Sequence, residues 1–188
     1  NSGQTPGRVR ARREGRADVI IRPAIMADAP ALAAFGSKTF FDTFGHLYPE
    51  SDANIYKEQR FNYERTCADI DELGRYFQLA YLDDILVGFI DCGALALPIQ
   101  HADPNGVELY RLYVMDAVKG TGLAHELMHK ALLWAHNRAA THIYLGVYHD
   151  NARAQAFYRK FGFEIIGAYK FRVGHTLDDE HIMSLKLN

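Results

Sequence analysis

One stretch of this sequence, Glu108 to Ala135, constrains the fold more than any other. Its first eight residues alternate as an extended strand does. Four side chains are predicted on one face of that strand: Glu108, Tyr110, Leu112 and Val114. A short turn with Gly120 and Gly122 follows. Apolar residues then recur every three or four positions, the spacing of an amphipathic helix (Leu123, Leu127, Ala131 and Trp134). The stretch therefore predicts a strand, a glycine turn and a helix in direct succession.

The glycine turn has the properties of an anion-binding loop. The first N–H groups of a helix lack intrahelical partners and lie at the positive end of its dipole. Glycine permits positive φ and close backbone approach, and Lys119 adds a positive charge. The pattern alone fits a plain tight turn equally well. It is not a dinucleotide fingerprint, because His125 stands where a small residue is needed, and no Walker motif is present.

The same helix carries a literal match to the zinc-protease signature HExxH, from His125 to His129. Two histidines four residues apart do share a helix face. However, Leu123 and Leu127 define the predicted buried face, and the histidines lie toward its polar flank. The glycine and third histidine of the extended signature are missing. We therefore expect two solvated histidines and no metal.

Length and charge limit the class of protein. The 188 residues suffice for one domain, which we place at 18–188. Residues 1–17 carry five of the 21 basic and one of the 23 acidic residues, and are predicted to be a disordered basic tail or a cloning remnant. The remainder has 16 basic and 22 acidic residues, a balance that disfavours nucleic acid and anionic membranes as partners.

Other features of the composition favour a cytoplasmic protein. No apolar run approaches the roughly 20 residues that span a bilayer, and the N-terminus has no apolar signal core. Cys67 and Cys92 lack metal-ligand spacing, so reduced thiols are expected. A homodimer is one assembly that the sequence allows.

The order of predicted elements indicates the fold class. We expect helices at 27–44 and 151–160, with an irregular helical segment at 45–74. Strands are predicted at 18–22, 76–81, 85–93, 108–115, 142–149, 163–173 and 181–187, the last two joined by a turn at 175–179. Strands at both ends with helices between them imply an α/β or α+β sheet in three layers.

Segment 42–72 is rich in acidic residues, with eight acids against three bases. Such a run is usually a solvated face. The alternative is an acidic rim that attracts a cationic substrate.

A second informative stretch begins at Asn151. On a helix, Asn151, Ala154 and Tyr158 lie on one face, and Phe157 points elsewhere. An amide, a small residue and a phenol aligned in this way could lie along an extended ligand. Read alone, Asn151 is an ordinary N-cap and Tyr158 a packing residue.

Together the two stretches resemble the cofactor-binding motifs of the GNAT superfamily of N-acetyltransferases. The first is Lys119-x-x-Gly122-x-Ala124, in which lysine replaces the family's Gln or Arg. The second is Asn151-x-x-Ala154-x-x-Phe157-Tyr158-x-Lys160-x-Gly162-Phe163. Within the superfamily, Glu108-Leu109-x-Arg111-Leu112-Tyr113-Val114 and Phe171-x-x-Gly174 bear a weaker likeness to bacterial polyamine acetyltransferases of the spermidine/spermine type.

This resemblance implies a fold and a co-substrate. The fold is a mixed, mostly antiparallel sheet that splays between two central strands and has helices on both faces. The co-substrate is acetyl-CoA. Its pantetheine arm would lie along one strand (Leu112, Tyr113 and Val114), and its pyrophosphate on the glycine loop (Lys119, Gly120, Thr121, Gly122, Leu123 and Ala124). Further contacts would come from the following helix (Asn151, Ala154, Tyr158 and Lys160).

The resemblance also implies direct acetyl transfer to an amine, without a cysteine nucleophile. Glu108 is at the position of a glutamate base, acting through water, and Tyr158 is at the position of the acid that protonates the CoA thiolate. The acceptor is expected to be a small primary amine, with a polyamine as the leading candidate, in a pocket near Phe41, Phe44 and Tyr48. Alternatives are acetylation of protein N-termini or lysines, and a non-catalytic acyl-CoA-binding regulatory module.

Overall fold

The computed structural model describes residues 18–187, so the predicted tail at 1–17 lies outside the described residues. Seven strands form one sheet in the order β1-β2-β3-β4-β5-β7-β6. The strands are β1 (Ile20–Pro23), β2 (Tyr76–Leu82), β3 (Ile85–Ala94), β4 (Gly106–Val114), β5 (His142–Tyr148), β6 (Glu164–Val173) and β7 (Thr176–Lys186). The helices are α1 (Ala29–Phe44), α2 (Glu50–Arg60), α3 (Tyr63–Asp71), α4 (Leu123–Asn137) and α5 (Ala152–Arg159).

The centre of the sheet is open. Strands β4 and β5 are parallel and pair only over Gly106–Glu108 and His142–Tyr144, whereas every other neighbouring pair is antiparallel. Beyond Glu108, β4 stays paired with β3 and β5 with β7, so the two central strands diverge. The predicted mixed, mostly antiparallel sheet with splayed central strands is confirmed.

Helices cover both faces of this sheet. The larger core lies beneath α4, where the predicted apolar positions Leu123, Leu127 and Ala131 are all buried. Trp134 is half-buried and stacks on Tyr76, with ring centroids 5.3 Å apart. On the other face, Leu32 of α1 packs against β2 and β3. Within residues 18–187, no helix is both long and apolar enough to cross a membrane.

The β6–β7 turn differs from the prediction. It was expected at 175–179, but β7 already begins at Thr176 and the turn is centred on Gly174, with φ +58°. A Cβ at Gly174 would lie 2.5 Å from the Cα of Asp52, and the Asp52 carboxylate accepts a 2.7 Å hydrogen bond from the Thr176 hydroxyl. The position of this turn thus depends on a long-range contact with α2. The polar residues at 175–179 alone predict it too far along the chain.

Strand β4 also departs from strict alternation. Its ladder with β3 contains a β-bulge, because Arg111 and Leu109 pair with successive β3 residues and Tyr110 is extra. Leu109 and Leu112 consequently both face the core beneath α4. Glu108 lies on the opposite side with Arg111. The prediction that Glu108 and Leu112 share a face is wrong, since the bulge reverses the alternation.

Candidate active site

The divergence of β4 and β5 opens a groove of about 1150 Å³. Its wall includes most of the residues predicted from sequence to bind acetyl-CoA or take part in catalysis: Glu108, Leu112, Tyr113, Val114, Lys119, Gly120, Gly122, Ala124, Asn151, Ala154, Tyr158 and Lys160. The fold therefore brings together β4, the glycine loop and α5, although Glu108 and Lys160 are 52 positions apart in the chain.

The glycine loop is shaped to receive an anion. Gly120 and Gly122 have φ values of +82° and +95°, and a Cβ at either position would meet no atom within 4 Å. The first amide of α4 to bond within the helix is that of Glu126, to the Gly122 carbonyl at 3.1 Å. The N–H groups of the first helical residues, Leu123, Ala124 and His125, are thus left for a ligand in the open space before the loop. Those of Lys119 and Thr121 already donate to backbone carbonyls. A pyrophosphate such as that of acetyl-CoA fits this arrangement.

Two of the predicted loop residues have side chains that are not available to a ligand. The Thr121 hydroxyl donates to the Val118 carbonyl at 2.7 Å, and the Leu123 side chain is buried in the core. Lys119 lines the groove but also forms an ion pair with Asp116.

Helix α5 presents the second set of predicted residues. The Asn151 side chain caps the helix by accepting a 3.1 Å hydrogen bond from the Ala154 amide. Tyr158 is only 9% exposed, yet it lines the groove. Burial raises the pKa of its phenol, and nearby Tyr113 and Cys92 act in the same direction. The hydroxyl therefore stays protonated at neutral pH, as a proton donor must.

The two histidines of the HExxH sequence pack against α5 and its C-terminal end. His125 contacts Phe157 and Phe161, and His129 contacts Phe161, at centroid distances of 5.1–5.4 Å. Both histidines are exposed on their outer sides. Among residues 18–187, no group of three or more His, Cys, Asp or Glu side chains is arranged to hold a metal ion.

One end of the groove, here called the acceptor end, is where the sequence predicts that the acceptor amine binds. Only one of the three residues predicted to line it does so. Phe44 lines it, whereas Phe41 and Tyr48 pack against Phe40 and lie outside the set of lining residues. The Tyr48 hydroxyl donates to Asp178. The aromatic side chains that line this end and were missed from sequence are Phe40, Tyr56, Tyr148, Tyr169 and Phe171. They come from four elements, α1, α2, β5 and β6, so no single local pattern marks them.

Glu108, the predicted base, is buried at 7% exposure and lines the groove. Its Oε2 accepts hydrogen bonds from the amides of Ala96 and Leu97, at 2.8 and 3.0 Å. Burial raises its pKa, while these two amides and the charge of Arg75 oppose that rise. The carboxylate therefore also anchors the loop that precedes β4.

A second groove carboxylate, Glu180, was not predicted. It lies on β7 and accepts a 2.6 Å hydrogen bond from the Tyr169 hydroxyl of β6. Burial raises the pKa of Glu180 to about 7. Sequence analysis missed this residue because the turn was placed at 175–179, which left Glu180 as a connecting residue.

At the acceptor end lies an ion-pair network formed by residues of α2, α3, β3 and β4 and by the residue before β2, and its four arginines line the groove. Asp91 is fully buried and accepts hydrogen bonds from Arg75 and Arg111 at 2.6–3.0 Å. Asp69, 1% exposed, accepts from Arg60 and from a fourth arginine, Arg65, at 2.6 and 2.9 Å. Asp69 thus belongs to neither a solvated face nor an acidic rim, the two readings of segment 42–72.

The splayed sheet, the glycine loop and the groove between them are the features of the acetyltransferase class that the sequence motifs implied. The model of the acetyltransferase (GNAT) family matches residues 38–163. An uncharacterised N-acetyltransferase of Mycobacterium tuberculosis is 34% identical over 168 residues, which are 86% of this chain and 99% of that relative. The chain therefore belongs to the GNAT family of acetyltransferases.

Solved structures share the fold. The PaiA N-acetyltransferase of Thermoplasma acidophilum, in complex with coenzyme A, superposes with a TM-score of 0.73 at 21% identity, covering 90% of this chain and 99% of that one. A ribosomal-protein-alanine N-acetyltransferase of Brucella melitensis has a TM-score of 0.63 at 25% identity, with 89% and 99% covered. A shared fold does not by itself define the acceptor of this chain.

Proposed function

We propose that this acetyltransferase transfers the acetyl group of acetyl-CoA directly to the primary amine of a small molecule, with a polyamine as the leading candidate. One observation carries the proposal: a continuous groove has an anion-binding loop at one end and, at the other, the buried carboxylate Glu108 and the half-buried carboxylate Glu180. The loop suits the CoA phosphates and the carboxylates suit a cationic amine. Because acetyl-CoA is a cytoplasmic metabolite, a cytoplasmic location is part of the proposal.

The proposed reaction needs one proton acceptor and one donor. A primary amine with a pKa near about 10 is protonated at neutral pH and must lose a proton before its nitrogen attacks the thioester carbon. The new C–N bond then forms as the C–S bond breaks, and the CoA thiolate departs. We assign the cofactor arm to Leu112, Tyr113 and Val114, whose strand edge faces the opening between β4 and β5. Cys92 is not a candidate nucleophile, because it is buried and burial raises its pKa.

Tyr158 is proposed as the proton donor to the departing sulfur. A phenol whose pKa is raised is a weak acid, so its main contribution is a hydrogen bond that stabilises the developing thiolate. We expect Tyr158→Phe to lower kcat roughly 100-fold with little change in the affinity for acetyl-CoA. Steady-state kinetics together with calorimetry measure both quantities. An unchanged kcat would remove Tyr158 from the chemistry.

The acceptor class is tested by release of free CoA, detected with a thiol reagent, on incubation of acetyl-CoA with spermidine, amino acids, aminoglycosides and peptides. We expect turnover with small primary amines, spermidine foremost. Turnover only with peptides would favour acetylation of protein N-termini or lysines. Tight binding of acetyl-CoA without turnover on any amine would instead indicate a non-catalytic acyl-CoA-binding module and overturn the proposal.

A further inference from the structure

The Glu180 side chain lies against Gly146, a residue without a side chain on the neighbouring strand β5. Gly146 of β5 lines the groove, and a Cβ built there would lie 2.8 Å from the Glu180 carboxylate and 2.5 Å from the Tyr169 hydroxyl. Neither distance is compatible with a side chain. The absence of a side chain at Gly146 therefore lets the Glu180–Tyr169 pair lie directly on β5, at the side of the groove opposite β4.

The surroundings of Glu180 contain ionisable groups on several elements but few that would stabilise a negative charge. Burial disfavours its charged form most, followed by the negative charges of Asp178 and Glu108, and only the Tyr169 hydrogen bond favours ionisation. The other titratable groups that interact with it are phenols on α2, β4 and the segment after α1: Tyr56, Tyr113 and Tyr48. A pKa of about 7 results, so the carboxyl can both accept and release a proton at neutral pH.

Glu108 is in a different situation. One of its oxygens is held by two backbone amides, and Arg75 lies close enough to stabilise its charge. A carboxylate restrained in this way is suited to holding the loop before β4 in place. Glu180 has a single hydrogen bond, from a hydroxyl that can reorient as the carboxyl gains or loses a proton.

We infer that Glu180, held over Gly146 by Tyr169, is the catalytic base that takes the proton from the acceptor ammonium, while Glu108 is a positioning residue for the acceptor end. This inference rests on the proposed function. In the reaction, the N–H bond of the ammonium breaks and its proton passes to the Glu180 carboxylate. The freed electron pair attacks the thioester carbon, and the protonated carboxyl returns its proton to water after the product leaves.

The first test compares the pH dependence of kcat/KM for wild type and Glu180→Gln, with spermidine or the best acceptor of the panel. For wild type we expect kcat/KM to rise with pH through an inflection near 7, because the base must be ionised. Glu180→Gln should lose that inflection and fall roughly 100-fold at pH 8, with acetyl-CoA affinity unchanged. The matched control is Glu164→Gln, an exposed glutamate on β6, which should behave as wild type.

The pH at which kcat/KM shows its inflection tests the role of Tyr169. Tyr169→Phe removes the one hydrogen bond that favours the ionised form of Glu180. We therefore expect the inflection to move to higher pH, with full activity recovered at alkaline pH. A variant that is merely misfolded would not recover in this way.

A second measurement requires no acceptor. In protein with ¹³C-labelled glutamate, the carboxyl signal that is missing in Glu180→Gln should titrate near pH 7, against about 4.3 for an ordinary glutamate. An ordinary titration, or an unchanged pH profile in Glu180→Gln with an active wild type, would overturn the base assignment alone. If wild type acetylates no amine, the proposed function fails, and the base role fails with it.

Discussion

Replacing Gly122 with valine should abolish acetyl-CoA binding. The φ of Gly122 is +95° and the space in front of it is empty, so the two γ-methyl groups of valine would project into the volume where we place the pyrophosphate. Hydrogen bonds to a charged group contribute about 1.5–3 kcal/mol each. Losing two of them weakens binding at least about 100-fold, since about 1.4 kcal/mol corresponds to a factor of ten. Isothermal titration calorimetry with acetyl-CoA measures the loss.

The valine also strains the backbone, because positive φ costs a β-branched residue about 1–3 kcal/mol. Gly74→Val is a matched control for that cost. Gly74 has φ +84° and precedes β2 outside the groove wall, and a Cβ there would meet only the flexible end of Arg138, at 3.4 Å. We expect both variants to melt at lower temperature and only Gly122→Val to lose the cofactor. Equal affinities in the two variants would refute the loop assignment.

The local elements were predictable because their signals are local. The spacing of Leu123, Leu127 and Ala131 was sufficient to place α4 and its buried face. Asn151 was identified as an N-cap from its position before a helical pattern. The splayed sheet was reached differently, through the resemblance of two motifs to a family. Periodicity alone gives strands and helices but not the order in which the strands pair.

The features missed from sequence depend on contacts between distant segments. The bulge at Tyr110 is set by the register between β3 and β4, and no residue pattern within β4 marks it. The start of β7 depends on the close approach of Gly174 to Asp52, over 120 residues earlier. Glu180 became visible as a site residue only when β5, β6 and β7 were brought together, which also explains why Gly146 must be glycine.

The acidic segment 42–72 shows the same limitation for charges. From composition alone, the segment is either a solvated face or an acidic rim. Asp42 fits this description, because it pairs with Lys38 on the surface. Asp69, by contrast, is buried with Arg60. Two further arginines close to Asp69 come from outside the segment: Arg75, which directly precedes β2, and Arg111 of β4. Only the fold therefore distinguishes a surface acid from a member of a buried network.

Replacing Asp91 with alanine should destabilise the protein by about 3–5 kcal/mol, the usual cost of removing one partner from a buried ion pair. Asp91 is fully buried and accepts four hydrogen bonds, two from Arg75 and two from Arg111. Without it, both guanidinium groups remain largely buried in the groove wall. Asp69 lies 3.6–3.8 Å from both of them, and Glu72 pairs with Arg75 at 2.8 Å. Urea unfolding followed by circular dichroism measures the free energy of unfolding.

The control is Asp42→Ala, which removes the exposed ion pair with Lys38 and should cost less than about 1 kcal/mol. Raising the salt concentration should reduce the already small effect at Asp42 and leave the effect at Asp91 nearly unchanged, because buried pairs are screened little. A loss below about 1 kcal/mol at Asp91 would mean that Arg75 and Arg111, which already line the groove, move further into it and regain solvent. In that case their positive charges would approach the acceptor end and oppose a cationic amine, so activity would fall while stability held. A large loss of stability would therefore show that Asp91 mainly stabilises the sheet. A loss of activity without a loss of stability would show that Asp91 mainly sets the charge at the acceptor end.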